Sequence, residues 1–217
     1  MPGLSVPNRM SDMNPLCAII LAAGRSTRFG RPKQLIEYGG VTLLRRAVMA
    51  AKEAADSVIV VIGFDAPQMA AHLAGFDVTC VENGGWIAGP GSSITMGIEA
   101  AIGRRPDTAG VLITPCDQPF ATGQVLRQLS EIARKETKGI VACEYADTVG
   151  IPALFGRDYF EALLSLPPEK GAKGLLTAYA GDVSRLPFPA GEYDIDTSAD
   201  YERLLRFTEP NLTDSLQ

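Results

Sequence analysis

The chain has 217 residues, of which 46% are apolar and 21% are charged, and it carries a net charge of −5 at neutral pH. This length and composition are typical of a globular domain that buries a full core. The negative balance argues against a broad nucleic-acid-binding face, which would need to be basic. No apolar run is long enough to cross a bilayer, and four cysteines without C-x-x-C spacing favour a reduced, cytoplasmic protein.

Short apolar segments alternate with helical patterns along most of the chain. The predicted strands are 17–22, 57–62, 77–81, 110–114 and 139–143. The predicted helices between and after them are 42–55, 67–73, 93–102 and 124–135. Such alternation predicts an α/β fold, in which helices cover both faces of a parallel sheet and ligands bind beyond the carboxyl ends of the strands.

The pattern changes after residue 143. The segments predicted there are an extended stretch at 148–155, helices at 157–164 and 174–180, a strand at 183–188 and a last helix from 198. Thr197 and Asp200 have the spacing of a capping box at the start of the last helix. We expect a single domain over 16–208, preceded by a disordered leader at 1–15 and followed by a flexible tail at 209–217.

The loop after the first predicted strand combines small and basic residues. It reads Leu21-Ala22-Ala23-Gly24-Arg25-Ser26-Thr27-Arg28-Phe29-Gly30-Arg31-Pro32-Lys33. Small residues let the backbone approach a ligand, successive N–H groups bind anions, and basic side chains add charge where phosphates would lie. The spacing fits neither G-x-x-x-x-G-K-[ST] nor G-x-G-x-x-G. We therefore predict a triphosphate-binding loop of another kind, with Lys33 on the β- and γ-phosphates and Arg28 on the leaving pyrophosphate.

Two acidic segments are candidates for holding a metal ion. Asp117 follows an apolar strand directly and precedes Pro119, which suits a ligand of Mg²⁺ or Mn²⁺ that is shared with substrate phosphates. The alternative is that Asp117 caps the next helix. Asp194 and Asp196 alternate along an extended segment, so both point to one side of it. One of the two is expected to be only a cap or a supporting group.

A Gly-rich segment at 83–93 leads into a predicted helix. A loop of this kind before a Ser-capped helix can bind an anion or a nucleobase, so Gly91, Ser92 and Ser93 are predicted nucleotide-binding residues. Helix capping alone would explain one of the serines. Trp86 is equally compatible with packing and with stacking on a base.

The pattern L-A-A-G-x-S-x-R-x-G-x-P-K resembles the signature of the nucleotidyltransferase superfamily, and within it the molybdenum cofactor cytidylyltransferase branch of the MobA-like NTP transferase family. Four further segments resemble motifs of that branch, in the same order: the Gly-rich segment at 83–93, D-Q-P at 117–119, G-I-P-A-L-F at 150–155 and E-K-G-A-K at 169–173. The resemblance implies a three-layer α/β/α, Rossmann-like nucleotidyltransferase (GT-A-like) fold with a mostly parallel mixed sheet.

The same resemblance implies roles for individual residues. The implied nucleotide-binding residues of the first loop are Leu21, Ala22, Ala23, Gly24, Arg25 and Lys33. Asp117 and Asp196 would chelate one Mg²⁺, and Lys33, Arg28 and Asp117 would be catalytic. The implied acceptor-binding residues are Pro152, Lys170 and Lys173.

The implied reaction transfers CMP from CTP to the terminal phosphate of molybdopterin and releases pyrophosphate, with a molybdoenzyme or a chaperone as a further partner. Two alternatives stay open. One is a nucleotidyltransferase for a sugar phosphate or another small phosphorylated acceptor. The other is a non-catalytic module that binds a nucleotide or delivers a cofactor. The presence of Lys33, Asp117 and Asp196 argues against the second alternative, because a pure binding module needs no metal-holding pair.

Overall fold

The computed structural model describes residues 15–27 and 29–206. Its strands are, in chain order, β1 (Leu16–Ala22), β2 (Glu37–Tyr38), β3 (Val41–Thr42), β4 (Ser57–Ile62), β5 (Thr79–Glu82), β6 (Gly110–Pro115), β7 (Ile140–Tyr145), β8 (Thr148–Gly156) and β9 (Val183–Pro187). Its α-helices are α1 (Leu43–Lys52), α2 (Ala66–His72), α3 (Pro90–Arg104), α4 (Gly123–Lys135), α5 (Phe160–Leu164), α6 (Lys173–Ala178) and α7 (Ser198–Leu205).

Seven strands form one mixed sheet in the order β5-β4-β1-β6-β8-β7-β9, and β2 pairs with β3 in a separate hairpin. The strands β5, β4, β1 and β6 are parallel, whereas β8 runs antiparallel to both β6 and β7. The reversal follows from the two-residue turn between β7 and β8, where Ala146 and Asp147 both have positive φ. A tight turn of this type joins antiparallel neighbours. The expected α/β fold with a mostly parallel mixed sheet is confirmed.

The central strand β1 shows why the fold has three layers. Its side chains alternate between the two faces of the sheet, so Ala18 and Ile20 belong to a core cluster that includes residues of α1 and α4. Cys17 and Ile19 belong to a second cluster with residues of α3, α5 and α6. Because both faces of β1 are buried, its sequence is apolar throughout.

Three details differ from the sequence-based expectations. The strand β5 begins at Thr79, because Gly75, with a φ of +88°, and Val78, bonded to Phe76, still belong to the turn after α2. The helix α3 begins at Pro90, and its N-cap is Gly89 without a side-chain bond, so the expectation of a Ser-capped helix is wrong. Cys17, Cys116 and Cys143 are buried, as their apolar surroundings in the sequence predict, whereas Cys80 is exposed.

The capping box at the start of α7 is confirmed. Thr197 Oγ1 accepts a hydrogen bond from the Asp200 N–H, and Asp200 Oδ2 accepts one from the Thr197 N–H at 2.8 Å. The backbone just before this helix is therefore held in place, which matters because Asp196 lies there. Within the described ranges, no helix is long and apolar enough to cross a membrane. Residues 1–14, Arg28 and 207–217 lie outside these ranges. The predicted tail, the predicted leader except for Pro15, and the residue Arg28 with its predicted role are therefore not described.

Candidate active site

A buried glutamine shapes the loop after β1. Gln34 is 2% exposed, and its Nε2 donates hydrogen bonds to the carbonyl oxygens of Ala22 at 3.0 Å and Gly24 at 2.7 Å. Its Oε1 accepts a bond from Ser26 Oγ, which in turn accepts one from the Lys33 N–H at 3.2 Å. The loop is therefore fixed at both ends before any ligand binds. Sequence reasoning missed Gln34, because a polar residue beside a basic loop gives no sign of being buried.

Lys33 lies between the two aspartates that the sequence proposed as metal ligands. Its Nζ is 2.5 Å from Asp117 Oδ2 and 2.7 Å from Asp196 Oδ1. All three side chains are largely buried, with exposed fractions of 15%, 20% and 28%. The Ile195 N–H donates to the Asp117 carbonyl oxygen at 3.0 Å, which ties the two acidic segments together. The structure thus brings Lys33, Asp117 and Asp196 into one cluster.

The charges of this cluster influence one another. Burial alone would lower the pKa of Lys33, but the carboxylates of Asp117 and Asp196 raise that pKa above its ordinary value, so the ammonium stays charged. Asp194 is exposed as a residue, but partial burial of its carboxyl group, and then the neighbouring Asp117 and Asp196 carboxylates, raise the pKa of that group. Of the two alternating aspartates, Asp196 contacts Lys33, whereas Asp194 is exposed. Asp194 therefore fits a supporting role better than a ligand role.

The donor set of the cluster fits a hard divalent cation. Mg²⁺ is bound in proteins through one or two carboxylates together with waters and substrate phosphates. Groups of three or more His, Cys, Asp or Glu that could hold a metal do not occur among the described residues. A metal at Asp117 and Asp196 would therefore take its other ligands from phosphates and water. The alternative role for Asp117 does not apply, because the N-cap of α4 is Thr122.

A cavity of about 540 Å³ lies beside the same loop. Its lining residues are Leu21, Ala23, Gly24, Arg25, Thr27, Trp86, Ile87, Gly89, Pro90 and Ser93. Five predicted nucleotide-binding residues are among them, namely Leu21, Ala23, Gly24, Arg25 and Ser93. Ala22 is buried behind the cavity wall as the last residue of β1. The volume and the mostly apolar lining are those of a small-molecule site.

Aromatic packing shapes one wall of the cavity. The Arg25 guanidinium lies 5.3 Å from the centre of the Phe64 ring, and the Phe64 and Trp86 rings meet edge to face at 5.9 Å. A Cβ on Gly63 would come within 2.9 Å of both Ala23 and Trp86, so the walls approach closely only because residue 63 is glycine. Trp86 therefore both packs and lines the cavity. Sequence reasoning missed Phe64, although its place just beyond the carboxyl end of β4 could have indicated it.

The predicted residues Gly91 and Ser92 contact protein rather than the cavity. A Cβ on Gly91 would clash with the carbonyl oxygens of Pro167 and Lys170, the latter at 2.6 Å. The Ser92 N–H donates to the Pro168 carbonyl oxygen at 3.3 Å, and Ser92 Oγ donates to a backbone carbonyl of its own helix. The N-terminus of α3 is thus packed against the segment at 167–170.

Replacing Gly91 by alanine should destabilise the protein by about 3 kcal/mol, because the new methyl group meets rigid backbone oxygens. For a chain of this length we expect the melting temperature to fall by about 6–12 °C. Gly103→Ala is the matched control in the same helix, since a Cβ there meets nothing within 4 Å. It should be neutral or stabilising by less than about 1 kcal/mol. Equal melting temperatures for the two variants would contradict this account of Gly91.

The three predicted acceptor-binding residues differ in exposure. Pro152 is buried within β8, whereas Lys170 and Lys173 are exposed. Lys170 belongs to the segment that packs on the start of α3, and Lys173 is the first residue of α6. Both lysines are therefore available to an anionic ligand. Their role toward the acceptor stays a prediction.

Comparisons with known proteins identify the family of this chain. A family model described as MobA-like NTP transferase domain matches residues 18–183. A probable molybdenum cofactor guanylyltransferase of Bacillus cytotoxicus is 27% identical over 131 residues, which are 59% of this chain and 62% of that protein. The bifunctional enzyme IspD/IspF of a Bradyrhizobium strain is 34% identical over 137 residues, which are 61% of this chain and 34% of that protein. The chain thus spans less than two thirds of the length of these curated relatives.

Solved structures extend the likeness to most of the chain. Rv0371c of Mycobacterium tuberculosis is 32% identical with a TM-score of 0.74, and the match covers 90% of this chain and all of that one. A structure of that protein in complex with manganese matches at 30% identity with a TM-score of 0.71, over 90% of this chain and all of that one. The resemblance to the MobA-like NTP transferase family, inferred from the motifs, is confirmed. The chain belongs to the MobA-like NTP transferase family.

Proposed function

We propose that this protein is a metal-dependent cytidylyltransferase that transfers CMP from CTP to the terminal phosphate of molybdopterin. The observation that carries the proposal is the cluster of Lys33, Asp117 and Asp196, because Lys33 ends the loop whose first residues line the 540 Å³ cavity. A binding module has no need of such a cluster, whereas phosphoryl chemistry requires cations and metal-holding carboxylates around the phosphates.

Different residues of the site have different roles in the proposed reaction. The loop fixed by Gln34 holds the triphosphate with its α-phosphorus toward the acceptor, and the cavity beside Trp86 takes the nucleoside. A bound Mg²⁺ or Mn²⁺ at Asp117 and Asp196 supplies further charge neutralisation at the phosphates. Lys33 moves from the carboxylates to the β- and γ-phosphates.

The chemical step needs positioning rather than a strong base. An oxygen of the acceptor phosphate attacks the α-phosphorus in line, its new P–O bond forms, and the bond to the β-phosphate breaks so that pyrophosphate leaves. A phosphate monoester loses its second proton near pH 6, so it is already an anionic nucleophile at neutral pH. The single histidine of the chain, His72, lies in α2 and is not required.

Resemblance supports the choice of substrates. The Ala22-Ala23-Gly24 sequence resembles the cytidylyl branch, which favours CTP. The Bacillus cytotoxicus relative is named for a guanylyl transfer to the same cofactor, which supports molybdopterin as acceptor and makes GTP the competing nucleotide.

The direct test is pyrophosphate release from each of the four NTPs, with Mg²⁺ or Mn²⁺ and a panel of phosphorylated acceptors. We expect turnover with CTP and molybdopterin to exceed every other combination. Turnover with GTP in place of CTP would overturn the base assignment. Turnover only with a sugar phosphate would overturn the acceptor assignment.

The site also offers a binding assay that needs no acceptor. Trp86 is the only tryptophan of the chain, and it lines the cavity, so nucleotide binding should change its fluorescence in a saturable way. CTP with Mg²⁺ is the ligand, and inorganic tripolyphosphate is the control without a base. We expect a larger change with CTP than with tripolyphosphate. Identical changes with both would place the base outside this cavity.

A further inference from the structure

The buried side chain of Asn83 has a fixed orientation. Asn83 follows β5 and is 2% exposed. The backbone N–H of Gly85 donates to its Oδ1 at 2.9 Å. Because a backbone N–H can only donate, this bond decides which end of the amide is the oxygen. The amide nitrogen must therefore face the opposite side, toward α3.

On that side the Asn83 amide determines how two serine hydroxyls are used. Asn83 Nδ2 donates to Ser92 Oγ at 2.9 Å and to Ser93 Oγ at 3.0 Å. Ser92 Oγ donates a hydrogen bond to the Gly89 carbonyl oxygen at 2.7 Å, so its one donor is already used. Ser93 Oγ accepts from Asn83, and among the described residues no protein acceptor takes its proton.

Ser93 is the member of this group that faces the cavity. Ser93 is one of the residues that line the cavity, yet it is only 5% exposed. Leu21, Ala23 and Trp86, which also line the cavity, contribute mainly apolar surface to it. The Ser93 hydroxyl already accepts one hydrogen bond and has no acceptor within the described protein. It can therefore donate a hydrogen bond to a ligand in the cavity. In a mostly apolar site such a group orients the ligand.

We infer that Asn83 is a positioning residue for base recognition, which holds the Ser93 hydroxyl as a hydrogen-bond donor toward an acceptor atom of the nucleobase. The inference rests on the proposed function, in which cytosine presents its N3 and O2 acceptors. Beyond that function, we infer that the preference for the base depends on the direction of the Ser93 hydroxyl. That direction is set by Asn83, which does not itself line the cavity.

Asn83→Asp tests the direction of that hydroxyl. The variant keeps the oxygen that accepts from Gly85 but replaces the donating amide nitrogen by a second acceptor oxygen. The Ser93 hydroxyl should then turn and donate to the carboxylate, and the cavity loses its donor. We expect calorimetry to show CTP affinity about tenfold weaker, the effect of one lost hydrogen bond.

Four comparisons separate this effect from a structural one. Inorganic tripolyphosphate, which has no base, reports any general effect of the added charge. Its affinity for Asn83→Asp should fall much less than the affinity of CTP. Ser93→Ala should lower the affinity for CTP by a similar factor and leave the affinity for tripolyphosphate unchanged. In the Ser93→Ala background, Asn83→Asp should lower the affinity for CTP by no more than the affinity for tripolyphosphate. Thr95→Ala, which removes a hydroxyl of the same helix that does not bond to Asn83, should change neither affinity.

Equal weakening of CTP and tripolyphosphate in Asn83→Asp would overturn the inference. So would wild-type CTP affinity in Ser93→Ala, a variant that leaves the bonds of Asn83 to Gly85 and Ser92 in place even if Asn83→Asp does not fold. Failure of the proposed function has a different signature, because the wild-type protein would then release pyrophosphate from another NTP or from none.

Discussion

Replacing Lys33 by alanine is expected to lower kcat by roughly a thousandfold while the protein stays folded. The ammonium lies 2.5 Å from Asp117 and 2.7 Å from Asp196, where it can pass from the carboxylates to the phosphates of the leaving pyrophosphate. Without it, the charge that develops on the pyrophosphate loses the cation that the proposed function assigns to it. Steady-state kinetics with saturating CTP and metal measure the loss.

Lys33→Ala should also lower the stability of the metal-free protein. Two largely buried carboxylates would face each other without their shared cation, which we expect to cost about 2 kcal/mol in metal-free buffer, less than the ~3–5 kcal/mol of a fully buried pair. Mg²⁺ should restore much of the melting temperature. Arg31→Ala is the matched control, because Arg31 is an exposed cation of the same loop that lies 5.6 Å from the Phe29 ring. Turnover of Lys33→Ala equal to that of the control would refute the role of Lys33.

Asp117→Asn should lower kcat by about two to three orders of magnitude and raise the metal concentration needed for half-maximal rate. The change keeps the shape of the side chain and the backbone bond from Ile195 to the Asp117 carbonyl oxygen. It removes one of the two carboxylate charges that would bind the cation. Titration of the rate with Mn²⁺ measures both effects.

The two aspartates of the C-terminal segment provide the control for this experiment. Asp196 contacts Lys33, whereas Asp194 is exposed, so Asp196→Asn should resemble Asp117→Asn and Asp194→Asn should stay within a few fold of wild type. A larger loss in Asp194→Asn than in Asp196→Asn would show that the metal ligand has been assigned to the wrong residue.

Much of the fold could be predicted because its strands are buried on both faces. The apolar runs that become β1, β4 and β6 have turns after them, and their carboxyl ends meet at one edge of the sheet. The antiparallel insertion of β8 between β6 and β7 could not be predicted, since it depends on which strands pair in space. The hairpin of β2 and β3 was too short to give a periodic signal.

The charged residues of the candidate site could be predicted from the sequence, whereas its buried polar residues could not. Lys33, Asp117 and Asp196 come from three separate segments, and each was visible as a charged residue beside an apolar strand or a cap. Gln34 and Asn83 are polar residues that act from within the protein, and only the folded arrangement shows their partners. The sequence predicts that Gly91 binds the nucleotide, but Gly89 and Gly91, at the start of α3, leave room for the backbone at 167–170.

The ion cluster around Lys33 has a consequence for the order in which ligands arrive. With one ammonium between two carboxylates, the metal-free cluster carries excess negative charge and repels a bare triphosphate. Under the proposed function, a divalent cation bound at Asp117 and Asp196 would reverse the sign of that charge, and the phosphates would offer the displaced ammonium new partners. Metal and nucleotide would then strengthen each other's binding, and by thermodynamic reciprocity each would do so by the same factor. The expected ligand of this site is therefore the metal complex of the nucleotide rather than either component alone.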